Sequence, residues 1–115
     1  MDMDTYQTKA LRTDTYQIPK TIDLTDLGLL NKVLGISGEA GEVAEKVKKL
    51  LRNNDGKMTE DDRVEIIKEL GDILWYVACL SKYLQADLSQ VAQANIDKLA
   101  DRYKRGVIKS KGDNR

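Results

Sequence analysis

Histidine is absent from the 115 residues. That removes the side chain most often used as a general base near neutral pH, and with it the commonest zinc ligand. It also excludes the di-iron carboxylate bundle, which needs a Glu-x-x-His motif on each of two helices. Cysteine occurs once, at Cys79, so no internal disulfide can form and a reducing, cytoplasmic setting is expected. A metal site in such a chain has to be built from oxygen, which suits Mg²⁺, Mn²⁺ or Ca²⁺. No run approaches the roughly 20 apolar residues that cross a bilayer, and the N-terminus lacks the charged-then-apolar order of a signal peptide. A surplus of one charge is missing too, because 19 Lys and Arg balance 19 Asp and Glu. Binding by counterion release needs a cationic excess, so neither a nucleic-acid polymer nor a membrane is an expected partner. Phenylalanine is absent and no stretch alternates with period two, which points to an all-α chain.

The length fits one modest domain, small enough for oligomerisation to help it. Pro19, the only proline, lies in a polar stretch from Asp14 to Asp23 that sets off a short N-terminal segment. Residues 3–13 are expected to form a short helix with Tyr6, Ala10 and Leu11 inward. The tetrapeptide Asp-Thr-Tyr-Gln occurs at 4–7 and again at 14–17, too short to count as a structural repeat. From Leu24 to Leu51 the apolar residues fall at helical spacing (Leu27, Leu30, Leu34, Val43, Val47, Leu50, Leu51). Gly35, Gly38 and Gly41 interrupt that run, which predicts two helices or one kinked near 35–38. Asn53-Asn54-Asp55-Gly56 signals a turn, and Thr59 with Asp62 makes a capping box for a helix from about 60 to 85. Val64, Ile67, Leu70, Leu74, Val77 and Leu84 lie on or near its apolar stripe. Asp87 and Gln90 suggest the cap of a last helix reaching about Tyr103, with Leu88, Val91, Ile96 and Leu99 inward and Gly106 as its stop. The expectation is one domain over 1–106, with its core in 24–106, and a polar tail at 107–115.

Two acid pairs stand out. Glu39 and Glu42 lie three apart, as do Glu69 and Asp72, so on helices each pair shares a face, as metal ligands must. Like charges at that spacing weaken a helix unless cations compensate. Yet Glu39 faces Val43, Glu69 faces Ile73, and Asp72 has only Lys68, in the less favourable order. Glu69 and Asp72 also sit inside an apolar run, and Gly38, Gly41 and Gly71 interleave with the acids. The residues alone leave two readings open, an oxygen-ligand metal site and a solvated acidic face.

The segments Gly-Glu-Ala-Gly-Glu-Val-Ala-Glu (38–45) and Glu-Leu-Gly-Asp-Ile-Leu-Trp-Tyr (69–76) resemble the Glu-x-x-Glu … Glu-x-x-Asp signature of MazG-type nucleoside triphosphate pyrophosphohydrolases. The 26 residues between Glu42 and Glu69 fit the family's usual spacing, and the run from Asn95 to Tyr103 is similar to its final helix. The resemblance covers about residues 24–106, with a weaker likeness in the N-terminal segment. It implies a four-helix all-α protomer that assembles as a homodimer or a dimer of dimers. It implies hydrolysis of a (deoxy)nucleoside triphosphate to the monophosphate and pyrophosphate, in nucleotide-pool house-cleaning. It implies Mg²⁺, with Mn²⁺ as a substitute, held by Glu39, Glu42, Glu69 and Asp72.

Further roles follow by proximity and residue type. Glu42 or Glu45 is the expected orienting group or base for the attacking water, Glu45 the weaker because Lys49 offers it a helix-surface partner. Asn95, Lys98 and Arg102 share a face of the last helix, a pattern that suits contact to phosphate or sugar and equally suits exposed cations beside a packed amide. Trp75 and Tyr76 follow the second acid pair, and either could stack on a base or belong to the packing. Arg12 and Thr13 reach the nucleotide only if the N-terminal segment folds over the site. Cys79 reads as packing, and the cluster Lys46, Lys48, Lys49 and Arg52 as a solvated face or a steering patch. The competing class is a non-catalytic helical dimerisation module. A phosphoribosyl-linked adenosine triphosphate as substrate ranks below the house-cleaning role, and a Ca²⁺ sensor lacks its twelve-residue loop.

Overall fold

Each helix begins where a polar side chain can engage a backbone amide that the helix itself leaves unpaired. Asp2 accepts from Thr5 N at 2.7 Å and opens α1 (Met3–Leu11). Asp26 accepts from Leu29 N at 3.0 Å and opens α2 (Leu27–Asn53). Thr59 and Asp62 form the expected reciprocal box before α3 (Glu60–Tyr83). At α4 (Leu88–Arg105) the Asp87 N–H donates to Gln90 Oε1 at 2.8 Å. The stops are equally local. Asp55 and Gly56 turn the chain after α2 with φ of 53° and 74°, and Gly106 ends α4 at φ 71°. The computed structural model describes residues 1–106, so the expected polar tail at 107–115 lies outside the described residues. Among the described residues there are four helices and no strand.

The glycines of α2 do not divide it. Residues 27 to 53 form one helix, because an interior glycine costs only about 0.5–1 kcal/mol and α2 packs along α3, the most extensive helix pairing in the fold. Gly35 serves that pairing directly. A Cβ there would fall 2.2 Å from the Tyr76 ring, so only glycine lets α3 come this close.

The helical period is borne out, but the inward faces drawn from it need correcting. Leu27 and Leu34 are 72% exposed and Leu51 64%, while Val47, Val64, Ile67, Leu70, Leu74, Leu84, Val91, Ile96 and Leu99 are also exposed. Periodicity fixes which face of a helix is apolar; it does not say that the same chain covers it. The buried core instead lies where α1 crosses the C-terminal half of α3 and the start of α4. Ala10, Ala78, Cys79 and Leu88 meet there, with Tyr6, Leu11, Trp75 and Val77 packed around them.

Polar side chains fasten this junction. Gln7, 2% exposed, donates to Ala78 O and Ala86 O and accepts from Leu88 N. Asp4 accepts from both Ser89 N and Ser89 Oγ, so α1 satisfies amides at the open end of α4.

Candidate metal and nucleotide site

Pairing α2 with α3 sets Glu39 across from Glu69 and Asp72. One carboxylate oxygen from each of these three residues lies within 4.8 Å of the others. Glu39 and Glu69 are half-buried and Asp72 is exposed, so the group opens at the surface. Three acids this close cannot all stay ionised without cost. The hydrogen bond Glu39 shares with Glu69 holds its carboxyl above the usual range, reinforced by partial burial and by the charges of Asp72, Glu69 and Glu42. Lys46, two turns after Glu39, brings its Nζ to 3.8 Å from Glu69 Oε1. Carboxylates brought this close at the surface, with oxygen as the sole donor type, fit a hard divalent ion.

Glu42 follows Glu39 by one turn, exposed and close enough for its charge to bear on Glu39, but outside the three-carboxylate group. Glu45 lies further along α2, where Lys48 Nζ at 3.0 Å and Lys49 Nζ at 3.9 Å pair with it. The hydrogen bond from Lys48 holds its carboxyl below the usual range.

The remaining candidates divide between this face and the N-terminal arm, residues 1–26. Tyr76 lies half-buried against Gly35, one turn before Glu39 on the facing helix, with its ring edge-on to Trp75 at 4.9 Å. Trp75, on α3, is fastened to the arm: its indole N–H donates to Ala10 O at 3.0 Å and Thr13 Oγ1 at 2.8 Å. That hydrogen bond also engages Thr13, while Arg12 is exposed at the end of α1. On α4, Asn95 lines a cavity shared with α1 and α3, Lys98 is exposed, and Arg102 is 3% exposed.

Sequence reasoning placed Tyr6 inward but missed one buried pair. Tyr6 is half-buried on α1, where burial pushes its hydroxyl up. Lys32, 1% exposed, pairs with Asp14 at 2.7 Å among the rings of Tyr16, Trp75 and Tyr83. The repeated Asp-Thr-Tyr-Gln was the one available signal, since Asp4 and Gln7 of its first copy and Asp14 of its second are all anchors.

A family model for the MazG nucleotide pyrophosphohydrolase domain matches residues 29–107. The chain is similar to the Gene 37 protein of Mycobacterium phage L5, at 46% identity over 115 residues and over the whole of both chains. No solved structure matches it. The arm lies before the family match. Among the described residues no helix is long and apolar enough to cross a membrane.

Proposed function

Since this chain belongs to the MazG nucleotide pyrophosphohydrolase family, we propose that it hydrolyses a (deoxy)nucleoside triphosphate to the monophosphate and pyrophosphate, with Mg²⁺ held by Glu39, Glu69 and Asp72. The observation that carries this is the meeting of three carboxylates from two helices within 4.8 Å. Mn²⁺ suits the same oxygen donors. When bound, the cation supplies the positive charge that neutralises the triphosphate.

The protein's own residues divide the remaining work. Glu42, exposed one turn from Glu39, completes the acid set and is the carboxylate placed to orient the attacking water or take its proton. Glu45 is the lesser candidate, because Lys48 and Lys49 already engage it. Lys98 and Asn95 offer charge and a hydrogen-bonding amide from α4, and Tyr76 keeps α2 and α3 at the separation the acids need. The exposed apolar stripes of α2, α3 and α4 are covered by a second copy of the chain, in a dimer or a dimer of dimers. Removal of unwanted nucleotides from the pool is the role that fits a small enzyme of this kind.

The test is a panel of ribo- and deoxyribonucleoside triphosphates assayed for pyrophosphate release with Mg²⁺, Mn²⁺ or chelator. Metal-dependent release from at least one nucleotide is expected. No release from any, together with no calorimetric binding of Mg²⁺ plus a non-hydrolysable triphosphate, would leave the helical dimerisation module in its place.

A further inference from the structure

The four cations in the second half of α2 take different partners. Lys48 and Lys49 turn to Glu45, at 3.0 Å and 3.9 Å, and the Arg52 Nε–H donates to Asn53 Oδ1 at 3.0 Å. Lys46 crosses instead to α3, where its Nζ stands 3.8 Å from Glu69 Oε1. Glu69 is thereby engaged twice, by this ammonium and by the carboxylate group it forms with Glu39 and Asp72. Lys46 also has a second side. With Lys49 it lines a small cavity of about 200 Å³ between α2 and the first turns of α3. Two carboxylates share that lining, and each is already engaged, Asp62 by Thr59 in the capping box and Glu65 by Lys68 at 3.1 Å. The Lys46 side chain, 34% exposed, therefore borders both the acid group and this cavity.

We propose that Lys46 is a movable counter-charge: it stands in for the metal at Glu69 before metal binds, and turns to the phosphates when metal and triphosphate arrive together. This rests on the triphosphate reading of the acid cluster and adds to it an order of loading. A positive charge beside a ligand oxygen opposes a divalent ion and favours an anion. The same residue thus weakens the site for a bare cation and strengthens it for a cation that arrives carrying phosphates. The metal–triphosphate complex is then taken as a unit in preference to the free ion. Lysine suits this role, because its ammonium is a compact charge with three rotatable donors on a flexible stem, able to change partner without moving either helix. Holding α2 to α3 does not explain the pair, since a partly exposed ion pair contributes little to stability.

Two binding measurements on the full chain, at one pH and one ionic strength, read the two halves of the proposal. One is calorimetry with Mn²⁺ alone, and the other uses a preformed Mg²⁺ complex of inorganic tripolyphosphate. Lys46→Met is expected to bind Mn²⁺ alone about threefold to tenfold more tightly than the wild type, and the tripolyphosphate complex about threefold to tenfold more weakly. Lys46→Arg keeps the charge and is expected to stay within about twofold of the wild type in both. Lys48→Met changes the net charge equally but faces Glu45, and is expected to leave both affinities within about twofold. Urea midpoints should be level across the set, so that opposite shifts in the two affinities cannot come from a loosened fold.

Each other result has one meaning. If Lys46→Met shows no gain for Mn²⁺, Lys46 does not stand in for the metal and the proposal is overturned, with the metal site intact. If it gains Mn²⁺ affinity and keeps that for the tripolyphosphate complex, Lys46 takes no phosphate and the proposal is overturned. If Lys48→Met reproduces both shifts, the effect belongs to the general field of α2, and the proposal is again overturned. If the wild type binds neither Mn²⁺ nor the tripolyphosphate complex, the triphosphate reading itself fails and this inference goes with it.

Discussion

The two ends of the α2–α3 pair differ in how their charges are settled. At the arm end, Lys32 and Asp14 are almost wholly buried, yet every charge has a partner. Lys32 Nζ meets Asp14 Oδ1 at 2.7 Å and donates to Asn31 Oδ1 at 3.0 Å, and the Tyr83 hydroxyl donates to Asp14 Oδ2 at 2.7 Å. At the acid end, three carboxylates crowd together near the surface, and Lys46 stands 3.8 Å from one of them. One end is satisfied and closed; the other is strained by like charge and open. Sites that bind ions commonly hold such unsettled charge, and the fold has to be stabilised elsewhere to tolerate it. Here the arm junction is that place.

The largest expected effect separates the two ends by activity. Asp72→Asn and Glu39→Gln should each lower metal-dependent pyrophosphate release on the order of a thousandfold or more, as losing several kcal/mol of charge stabilisation does. Circular dichroism should show unchanged helicity. The melting temperature should stay level or rise, because each change removes repulsion within the cluster. Near-normal turnover in either variant would show that the three carboxylates do not hold the metal.

The arm end should behave in the opposite way. Lys32→Met alone leaves Asp14 buried without its cation and should cost about 3–5 kcal/mol of stability, measured by urea unfolding. Combining it with Asp14→Leu should recover part of that loss, since no buried charge then lacks its partner. If the double variant is less stable than the single one by the full cost of Asp14→Leu, the two residues are not coupled and the closed end is not held by their pairing.

The contrast also bears on what the sequence could reveal. The four helices, three of the caps and both acid pairs are local features, set by residues three or four apart, and they were legible. Of the two readings of the glycines near 35–38, two separate helices or one kinked, the division into two is overturned, because helix pairing outweighs the small cost of glycine and Gly35 serves the Tyr76 contact. Lys32 and Asp14 were not legible: they lie in different segments, and nothing local marks a lysine that will be buried among three rings. Trp75 showed the same limit. Its place beside the acid pair left base contact and packing both open, and nothing local showed that its indole N–H is held by Ala10 and Thr13, more than sixty residues away in sequence. Apolar stripes on α2, α3 and α4 were found by period, but the single chain leaves them open.

Acid reaches the closed end after the open one, since Glu39 is held above the usual range and Asp14 below it. Burial pushes the Asp14 carboxyl up, but hydrogen bonds from Lys32, Tyr83 and the Tyr16 amide, with the Lys32 charge, hold it below the ordinary value. A carboxyl whose folded value is lowered contributes stability above its unfolded pKa, about 3.9, and loses that contribution as pH falls through the folded value. Urea midpoints of the wild type should therefore be steady from pH 7 to 5 and decline below about pH 4. Asp14→Asn should be less stable at pH 7 but lose less on acidification, so the two curves converge. Parallel curves would assign the acid sensitivity to another group.

The smallest expected effect tests the boundary of the open end. Glu45 is one and a half turns past Glu39, and its partners Lys48 and Lys49 are themselves more than half exposed. Ion pairs of that kind contribute about 0–1 kcal/mol, so Glu45→Gln should shift stability by less than that. Turnover should stay within a few-fold of the wild type, while Glu42→Gln should reduce it far more. A deep loss of kcat in Glu45→Gln, with nucleotide affinity unchanged, would extend the working acid face one turn beyond Glu42. It would also mean that Lys48 and Lys49 release Glu45 when substrate arrives, which the triphosphate's own negative charge, drawn to those two ammonium groups, could bring about.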